Sequence, residues 1–262
     1  MLRLITLPNN DIGRDFLIAD LHGQYDLFLE KIASVNFNPD CDRMFSMGDL
    51  VDRGMRSLEC LRLIKEPWFH FVLGNHDLAL LCFFEMWPEG FHDIHNYLAE
   101  DGAWLKALTQ EEKFELLNEL LPLLRQAPLI VCVNDTTLPF QFVHAEILSA
   151  WGDMLPIPAV TDGAVLAHQE SLTWGRQLIK RALPISAPSN QNALGVSLTP
   201  TPWEPGVRLT YAGHSIVSAP VMYRSHLFID RGAFRRDDIE SDLLLIEHAP
   251  FVTQLMRLVP RA

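Results

Sequence analysis

Short apolar runs recur along this chain, and several of them end directly at a polar cluster. Runs of four or five residues with β-branched and aromatic side chains are typical of buried strands. The predicted strands that end in polar clusters are 16–19, 44–47, 69–73, 140–143 and 209–212. Later apolar runs at 227–229, 243–246 and 251–256 predict further strands.

Between the first strands lie stretches with helical spacing. In 25–35 the apolar residues Leu27, Phe28 and Ile32 recur with this spacing, and 57–65 has a similar pattern. The alternation of strands and helices predicts βαβ units and an α/β fold. Ligands of open α/β sheets bind beyond the carboxyl ends of the strands, which is where the polar clusters fall.

Two later segments interrupt this alternation. Residues 93–126 are predicted to form a helical cap, with helices at 93–108 and 111–125. Residues 183–206 contain five prolines among Ser, Asn and Gly, which predicts a long loop. That loop is either a surface insertion or a substrate-recognition element. The length favours a single domain over residues 1–262.

The composition narrows the function classes. Apolar residues make up 48% of the chain, so a large core is feasible. The net charge of −12 repels a phosphate backbone, which argues against nucleic acid as a partner. The four cysteines form no C-x-x-C pair, which favours a reducing compartment. Residues 1–16 lack an apolar leader, and the apolar runs are too short to span a bilayer. We therefore expect a cytoplasmic protein with no membrane partner.

The polar clusters offer oxygen and imidazole ligands. Taken singly, each cluster is more commonly a helix cap or a structural histidine. Together, at the ends of five predicted strands, they indicate a metal centre for Mn, Fe or Zn. We expect one cation on Asp20, His22 and Asp49. A second would bind Asn75, His144 and His214, with Asp49 bridging both. Two cations roughly 3.5–4 Å apart would share a hydroxide that attacks a phosphate ester.

Phosphoryl transfer also requires a proton donor and positive charge on the phosphate oxygens. His76 adjoins Asn75 and, when paired with Asp52, could act as a general acid. Arg53 and Arg176 are candidate phosphate contacts, because a guanidinium fork matches phosphate geometry. The simpler interpretation of Arg176 is an ordinary surface arginine.

Three sequence blocks resemble the signatures of the phosphoprotein phosphatase family of calcineurin-like metallophosphoesterases. They are 20–23, 48–54 and 74–77, which read DLHG, GDLVDRG and GNHD. The similarity is greatest to small bacterial and bacteriophage serine/threonine protein phosphatases of the lambda type. It continues through WGR at 174–176 and GH at 213–214 to 229–233.

The resemblance implies a fold, a cofactor and a mechanism. The fold would be a β-sandwich flanked by helices. The cofactor would be two divalent cations on the six ligands named above, with manganese as the usual activating metal. His76 and Asp52 would form the proton-donor pair, and Arg53 and Arg176 would hold the phosphate.

Three positions bear on the substrate. Ile216 stands where many calcineurin-like nucleases have a second histidine, which leaves the first cation three protein ligands, as in the protein phosphatases. Leu73 stands where many protein phosphatases have arginine, and 73–78 resembles the symmetrical dinucleoside tetraphosphatases. Asp52 favours the protein phosphatases, because the tetraphosphatases often have a small residue there.

Three functional hypotheses follow. The first is a phosphomonoesterase, a serine/threonine protein phosphatase that acts on a phosphorylated protein or a small phosphoester. The second is a symmetrical dinucleoside polyphosphate hydrolase. The third is a non-catalytic binding module, which the full set of ligand residues argues against.

Overall fold

Two β-sheets that pack face to face form the centre of the fold. The computed structural model describes residues 4–85, 98, 101–148, 169–186, 192–235, 238 and 241–259. The smaller sheet contains β2 (Asp15–Ile18), β3 (Arg43–Ser46), β4 (Phe69–Phe71) and β11 (Leu245–Glu247). The order is β11-β2-β3-β4, in which β2, β3 and β4 are parallel and β11 is antiparallel to β2.

The larger sheet has the strand order β1-β5-β6-β8-β10-β9-β7. Its strands are β1 (Leu4–Leu7), β5 (Ile130–Val133), β6 (Phe140–Val143), β7 (Ser197–Leu198), β8 (Leu209–Ala212), β9 (Val221–Tyr223) and β10 (His226–Phe228). Strands β6, β8 and β10 are parallel, so β6 and β8 end at the same edge of the sheet. The predicted mixed α/β sandwich is confirmed.

Helices flank the two sheets. They are α1 (Tyr25–Ser34), α2 (Ser57–Arg62), α3 (Asn75–Glu85), α4 (Gln110–Glu115), α5 (Leu121–Leu124), α6 (Gln169–Trp174), α7 (Gln177–Ala182) and α8 (His248–Leu258). A π-helical turn, Leu116–Leu120, joins α4 to α5. Further 3₁₀ turns cover Leu63–Lys65, Ala103–Ala107 and Leu183–Ile185.

Alternate residues of the strands supply two apolar cores. In β2, Leu17 belongs to the core between the sheets, whereas Phe16 and Ile18 belong to a second core with Phe28 of α1 and Leu58 of α2. In β3, Phe45 bridges the sheets, because its ring centroid lies 5.7 Å from that of Phe140 and 5.3 Å from that of Phe142. Period-two alternation therefore fixes which face of each strand joins the sandwich.

The structure tests three further predictions, the helical cap, the last strand and the long loop. The helical prediction for 111–125 is confirmed, while much of 93–108 lies outside the described residues. The strand prediction for 251–256 is wrong, since these residues belong to α8. Val252 and Leu255 are buried three residues apart, which is helical spacing. The loop predicted over 183–206 contains a short strand, β7, which pairs with β9.

None of the helices in the described part of the chain combines the length and the hydropathy that a membrane crossing requires.

Candidate active site

The predicted site residues come from both sheets and meet at one place. Asp20 and His22 follow β2, Asp49 follows β3, and Asn75 and His76 begin α3 beyond β4. His144 follows β6, and His214 follows β8. All of these side chains are buried. The site therefore lies at the carboxyl ends of five strands, as the position of the polar clusters predicted.

Asp49 lies at the centre of the group. Its Oδ2 is 3.4 Å from Nε2 of His22 and 3.5 Å from Nε2 of His144. Its Oδ1 accepts the backbone N–H of His76 at 2.8 Å. One carboxylate thus faces imidazoles from both sheets, which is the position a bridging ligand requires.

Backbone carbonyls orient three of the imidazoles. Nδ1 of His22 lies 3.0 Å from the Val51 carbonyl, and Nδ1 of His144 lies 2.7 Å from the Met47 carbonyl. A hydrogen bond to the backbone of Trp174 acts on His214 as well. A proton on Nδ1 leaves Nε2 with its lone pair directed into the site, which is the tautomer of a metal-binding histidine.

The donor set fits divalent cations. Ligand atoms lie within 4.8 Å of one another in two groups, His22 with Asp49 and His76, and Asp49 with His144 and His214. Nε2 of His144 is 2.9 Å from Oδ1 of Asn75, so with the ring proton on Nδ1 both atoms are acceptors that one cation would bind.

The surroundings of Asp20 also fit a cation. Its Oδ2 accepts the backbone N–H of His214 at 2.9 Å, but its buried Oδ1 has no hydrogen-bond partner. Burial, followed by the charges of Asp230 and Asp49, raises the pKa of Asp20 well above its usual range. A cation at this carboxylate would remove both penalties.

Protonation separates His76 from the other histidines. Burial lowers the pKa of His22 and of His214 to about 3, and it also lowers the pKa of His144. Burial opposes the charged form of His76 too, but the hydrogen bond from its Nδ1 to Asp52 Oδ2, at 2.9 Å, and the charge of Asp49 raise its pKa overall. His76 is therefore the imidazole of this group best suited to carry a transferable proton.

Arg53 lies against the first group of ligands. Its guanidinium is 2.9 Å from Nε2 of His22 and 2.9 Å from Nε2 of His76. The Phe234 ring packs against the guanidinium, with its centroid 4.2 Å from Cζ. A guanidinium cation thus lies beside the imidazoles of His22 and His76.

Arg176 lies against the second group. Its Nε donates to Nε2 of His214 at 3.1 Å. The buried carboxylate of Glu146 accepts the backbone N–H groups of Gln177 and Leu178, both at 2.8 Å. Glu146 therefore fixes the chain on the carboxyl side of Arg176.

Unusual backbone conformations concentrate at the site. His22, Asp49, Asp52, Arg53 and His214 all have positive φ, between 43° and 74°. Such conformations cost about 1–3 kcal/mol each for residues other than glycine and persist where surrounding contacts impose them. Gly213 of the GH block is required for space instead, because a methyl group on it would overlap the Asp20 carboxylate.

The structure also places residues at the site that the sequence did not single out as functional. Trp104 bonds Asp52, Phe234 packs on Arg53, Glu146 anchors the chain after Arg176, and the charge of Asp230 acts on Asp20. Of these residues, only Asp230 has a local sequence signal, the D-x-G pattern at 230–232. The structure accounts for that pattern, because Oδ1 of Asp230 accepts the Gly232 N–H. The other contacts join segments that are distant in sequence, so local patterns carry no signal for them.

Comparison with known sequences identifies the family. The calcineurin-like phosphoesterase family model matches residues 16–189. Serine/threonine-protein phosphatase 2 of Salmonella typhimurium is 29% identical over 227 residues, which cover 86% of this chain and 91% of that protein. A symmetrical bis(5'-nucleosyl)-tetraphosphatase of Actinobacillus succinogenes is 36% identical over 138 residues, which cover 52% of this chain and 45% of that protein.

Comparison with solved structures supports the same fold. The crystal structure of a cold-active protein-tyrosine phosphatase from a psychrophilic Shewanella aligns with a TM-score of 0.50 and 16% identity, over 95% of this chain and 78% of that one. The family match covers more than half of the chain, and the described His and Asp groups could bind the divalent ions that the family implies. The chain belongs to the calcineurin-like phosphoesterase family and is a hydrolytic phosphatase.

Proposed function

We propose that the protein is a metal-dependent phosphomonoesterase that removes phosphate from phosphoserine and phosphothreonine in proteins. The observation that carries this proposal is the His76–Asp52 pair beside the two ligand groups. A serine or threonine alkoxide is a poor leaving group, so cleavage of its ester benefits strongly from a proton delivered to the leaving oxygen. An enzyme for such esters needs a donor of this kind.

The cations would bind where the donor atoms converge. His22 and Asp49 would hold one ion together with Asp20, whose buried Oδ1 has no hydrogen-bond partner. His144 and His214 would hold the other together with Asn75, with Asp49 shared. Bound there, two divalent ions supply positive charge for the phosphate and lower the pKa of water. Imidazole with carboxylate suits manganese, which we propose as the native metal, as well as iron and zinc.

The protein side chains would perform the remaining work. Asp52 holds the imidazole of His76 through Nδ1, so that Nε2 can deliver a proton to the leaving oxygen. Arg53 and Arg176, each beside one ligand group, would contact the non-reacting phosphate oxygens. Their fork geometry would orient the phosphate for attack from the side opposite the leaving oxygen.

The sequence relatives add support for a protein substrate. The Salmonella protein named a serine/threonine phosphatase aligns along most of both chains, whereas the tetraphosphatase alignment spans about half of this chain. The test is phosphate release from a phosphoserine peptide and from nitrophenyl phosphate by the manganese-loaded protein. Release from both is expected, and no release from either would refute the proposal.

A second candidate function is hydrolysis of dinucleoside polyphosphates. It is motivated by the sequence LGNHDL at 73–78 and by the 36% identity to the Actinobacillus tetraphosphatase. The proposed phosphatase predicts no symmetrical cleavage of diadenosine tetraphosphate. Chromatography that shows adenosine diphosphate as the main product, formed faster than phosphate from the phosphopeptide, would favour this second function.

A further inference from the structure

We propose that Trp104 is a positioning residue that fixes the Asp52 carboxylate for its partner His76. The inference rests on the proposed function, because it assumes that His76 protonates the leaving group. Indole Nε1 of Trp104 donates to Oδ1 of Asp52 at 3.0 Å, while Oδ2 of the same carboxylate bonds Nδ1 of His76 at 2.9 Å. Each oxygen of the Asp52 carboxylate therefore accepts a hydrogen bond from a different side chain.

This arrangement matters because a carboxylate has a soft final torsion. The χ2 angle of Asp is broadly distributed, so one hydrogen bond alone leaves the plane of the carboxylate free to rotate. A second donor on the other oxygen removes that freedom. Asp52 is fully buried and Trp104 is 1% exposed, so water does not compete for the contact.

The segment that carries Trp104 also holds the backbone of the turn beneath the site. Asp52 and Arg53 are consecutive residues with φ of 74° and 67°, a conformation that side-chain-bearing residues rarely adopt. The N–H of Arg53 donates to the Asp101 carbonyl at 2.9 Å, and Nε of Arg53 lies 3.5 Å from the Asp101 carboxylate. Residues 101–104 thus contact the backbone of one turn residue and the side chains of both.

The segment that supports Asp52 is itself well packed. Trp104 lies in the 3₁₀ turn Ala103–Ala107 and is buried, with Leu105, in the same core as Phe16 and Ile18. Groups held on packed elements position a site more accurately than groups on free loops. The buried indole therefore holds the Asp52 carboxylate in a fixed place relative to this core.

The alternative is that Trp104 is an ordinary core residue whose N–H needs an acceptor. Trp203 provides the comparison, because its Nε1 donates to the Val259 backbone carbonyl at 2.9 Å, away from the site. An indole can satisfy its N–H with a carbonyl, whereas Trp104 bonds the carboxylate that orients His76. Trp203→Phe is accordingly the matched control for Trp104→Phe.

The test compares two leaving groups in a double-mutant cycle. In the manganese-loaded protein, Trp104→Phe should lower kcat on a phosphoserine peptide on the order of tenfold, the low end of what supporting contacts contribute. Turnover of nitrophenyl phosphate should change less than about twofold, because its leaving group requires little protonation. In a His76→Asn background, Trp104→Phe should have no further effect on kcat.

The controls separate positioning from folding. Metal content should stay unchanged in Trp104→Phe, and Trp203→Phe should leave the ratio of the two kcat values unchanged. If Trp104→Phe unfolds the protein, replacement of Trp104 by 3-benzothienylalanine removes only the N–H and should give the same selective loss.

Two outcomes would overturn the inference while the proposed function stands. One is an equal loss on both substrates, and the other is a loss that persists in the His76→Asn background. Failure of the unmodified protein to release phosphate from either substrate would instead refute the proposed function.

Discussion

At the scale of single residues, the neighbours of each histidine decide its chemistry. Nδ1 of His22 and of His144 faces a backbone carbonyl, so Nε2 keeps a lone pair for a cation. Nδ1 of His76 faces the Asp52 carboxylate, and its pKa is raised. Identical imidazoles a few ångströms apart therefore suit two different roles, ligand and proton donor.

This difference predicts a selective defect for His76→Asn. Turnover of a phosphoserine peptide should fall by about 10²–10⁴-fold, the usual contribution of a general acid, with a much smaller fall for nitrophenyl phosphate. Steady-state kcat on both substrates, with metal content measured alongside, checks this. His70→Asn is the control, since His70 of β4 stacks on Phe45 of β3 and has no contact with the ligand groups among those described. Equal losses on both substrates would contradict the donor role.

At the scale of elements, the start of α7 is held in place by a residue from the other side of the site. Glu146, two residues after His144, accepts both N–H groups that follow Arg176. The carboxylate occupies the position that an N-terminal cap would take, and negative charge is favourable at a helix start. The position of Arg176 relative to His144 is thereby set by one side chain.

Glu146→Gln tests this link. The amide can accept from one of the two N–H groups but presents a donor to the other, so Arg176 should lose its fixed position. We expect KM for phosphate esters and the inhibition constant for inorganic phosphate to rise several-fold, with metal content unchanged. Glu170→Gln, a change at an exposed residue of α6, should alter neither constant. An unchanged KM in Glu146→Gln would show that Arg176 is held in another way.

At the scale of the whole molecule, the packing of the two sheets sets the geometry of the site. Asp20, Asp49 and Asn75 come from the smaller sheet, whereas His144 and His214 come from the larger one. Phe45 packs between the sheets and is fully buried. The two ligand groups therefore stay in register only while the sandwich is intact.

Phe45→Ala should weaken the sandwich and the site together. Loss of a buried phenyl ring costs about 3–5 kcal/mol of the free energy of unfolding. Urea unfolding measures that cost, and manganese titration should show weaker binding in the folded variant. Phe114→Ala removes a ring that is 65% exposed, and it should change the free energy of unfolding by about 0.5 kcal/mol or less. A Phe45→Ala protein as stable as Phe114→Ala would contradict this description of the core.

Much of the site could be predicted from sequence because its residues stand directly after strands. Apolar runs located β2, β3, β4, β6 and β8, and the polar residue after each run entered the site. The strand predicted at 251–256 was wrong because a short apolar run has no period long enough to separate helix from strand.

Contacts between distant segments could not be predicted in this way. Trp104 is 52 positions from Asp52, and Glu146 is 31 positions from Gln177. Nothing in the local pattern around Trp104 or Glu146 indicates its partner, because the fold alone creates these pairs. The sequence therefore predicted the candidate ligands, while the structure revealed the residues that contact Asp52 and the chain after Arg176.

The most direct test measures bound metal and phosphate release on the same samples of the unmodified protein and Asp49→Asn. The proposal predicts about two ions per chain, as in two-metal hydrolases, and manganese-dependent release of phosphate from a phosphoserine peptide. Asp49→Asn, which removes the charge between the two ligand groups, should lose both properties. Full phosphatase activity in the metal-stripped protein, or an Asp49→Asn protein that keeps two ions and normal turnover, would contradict the proposed centre.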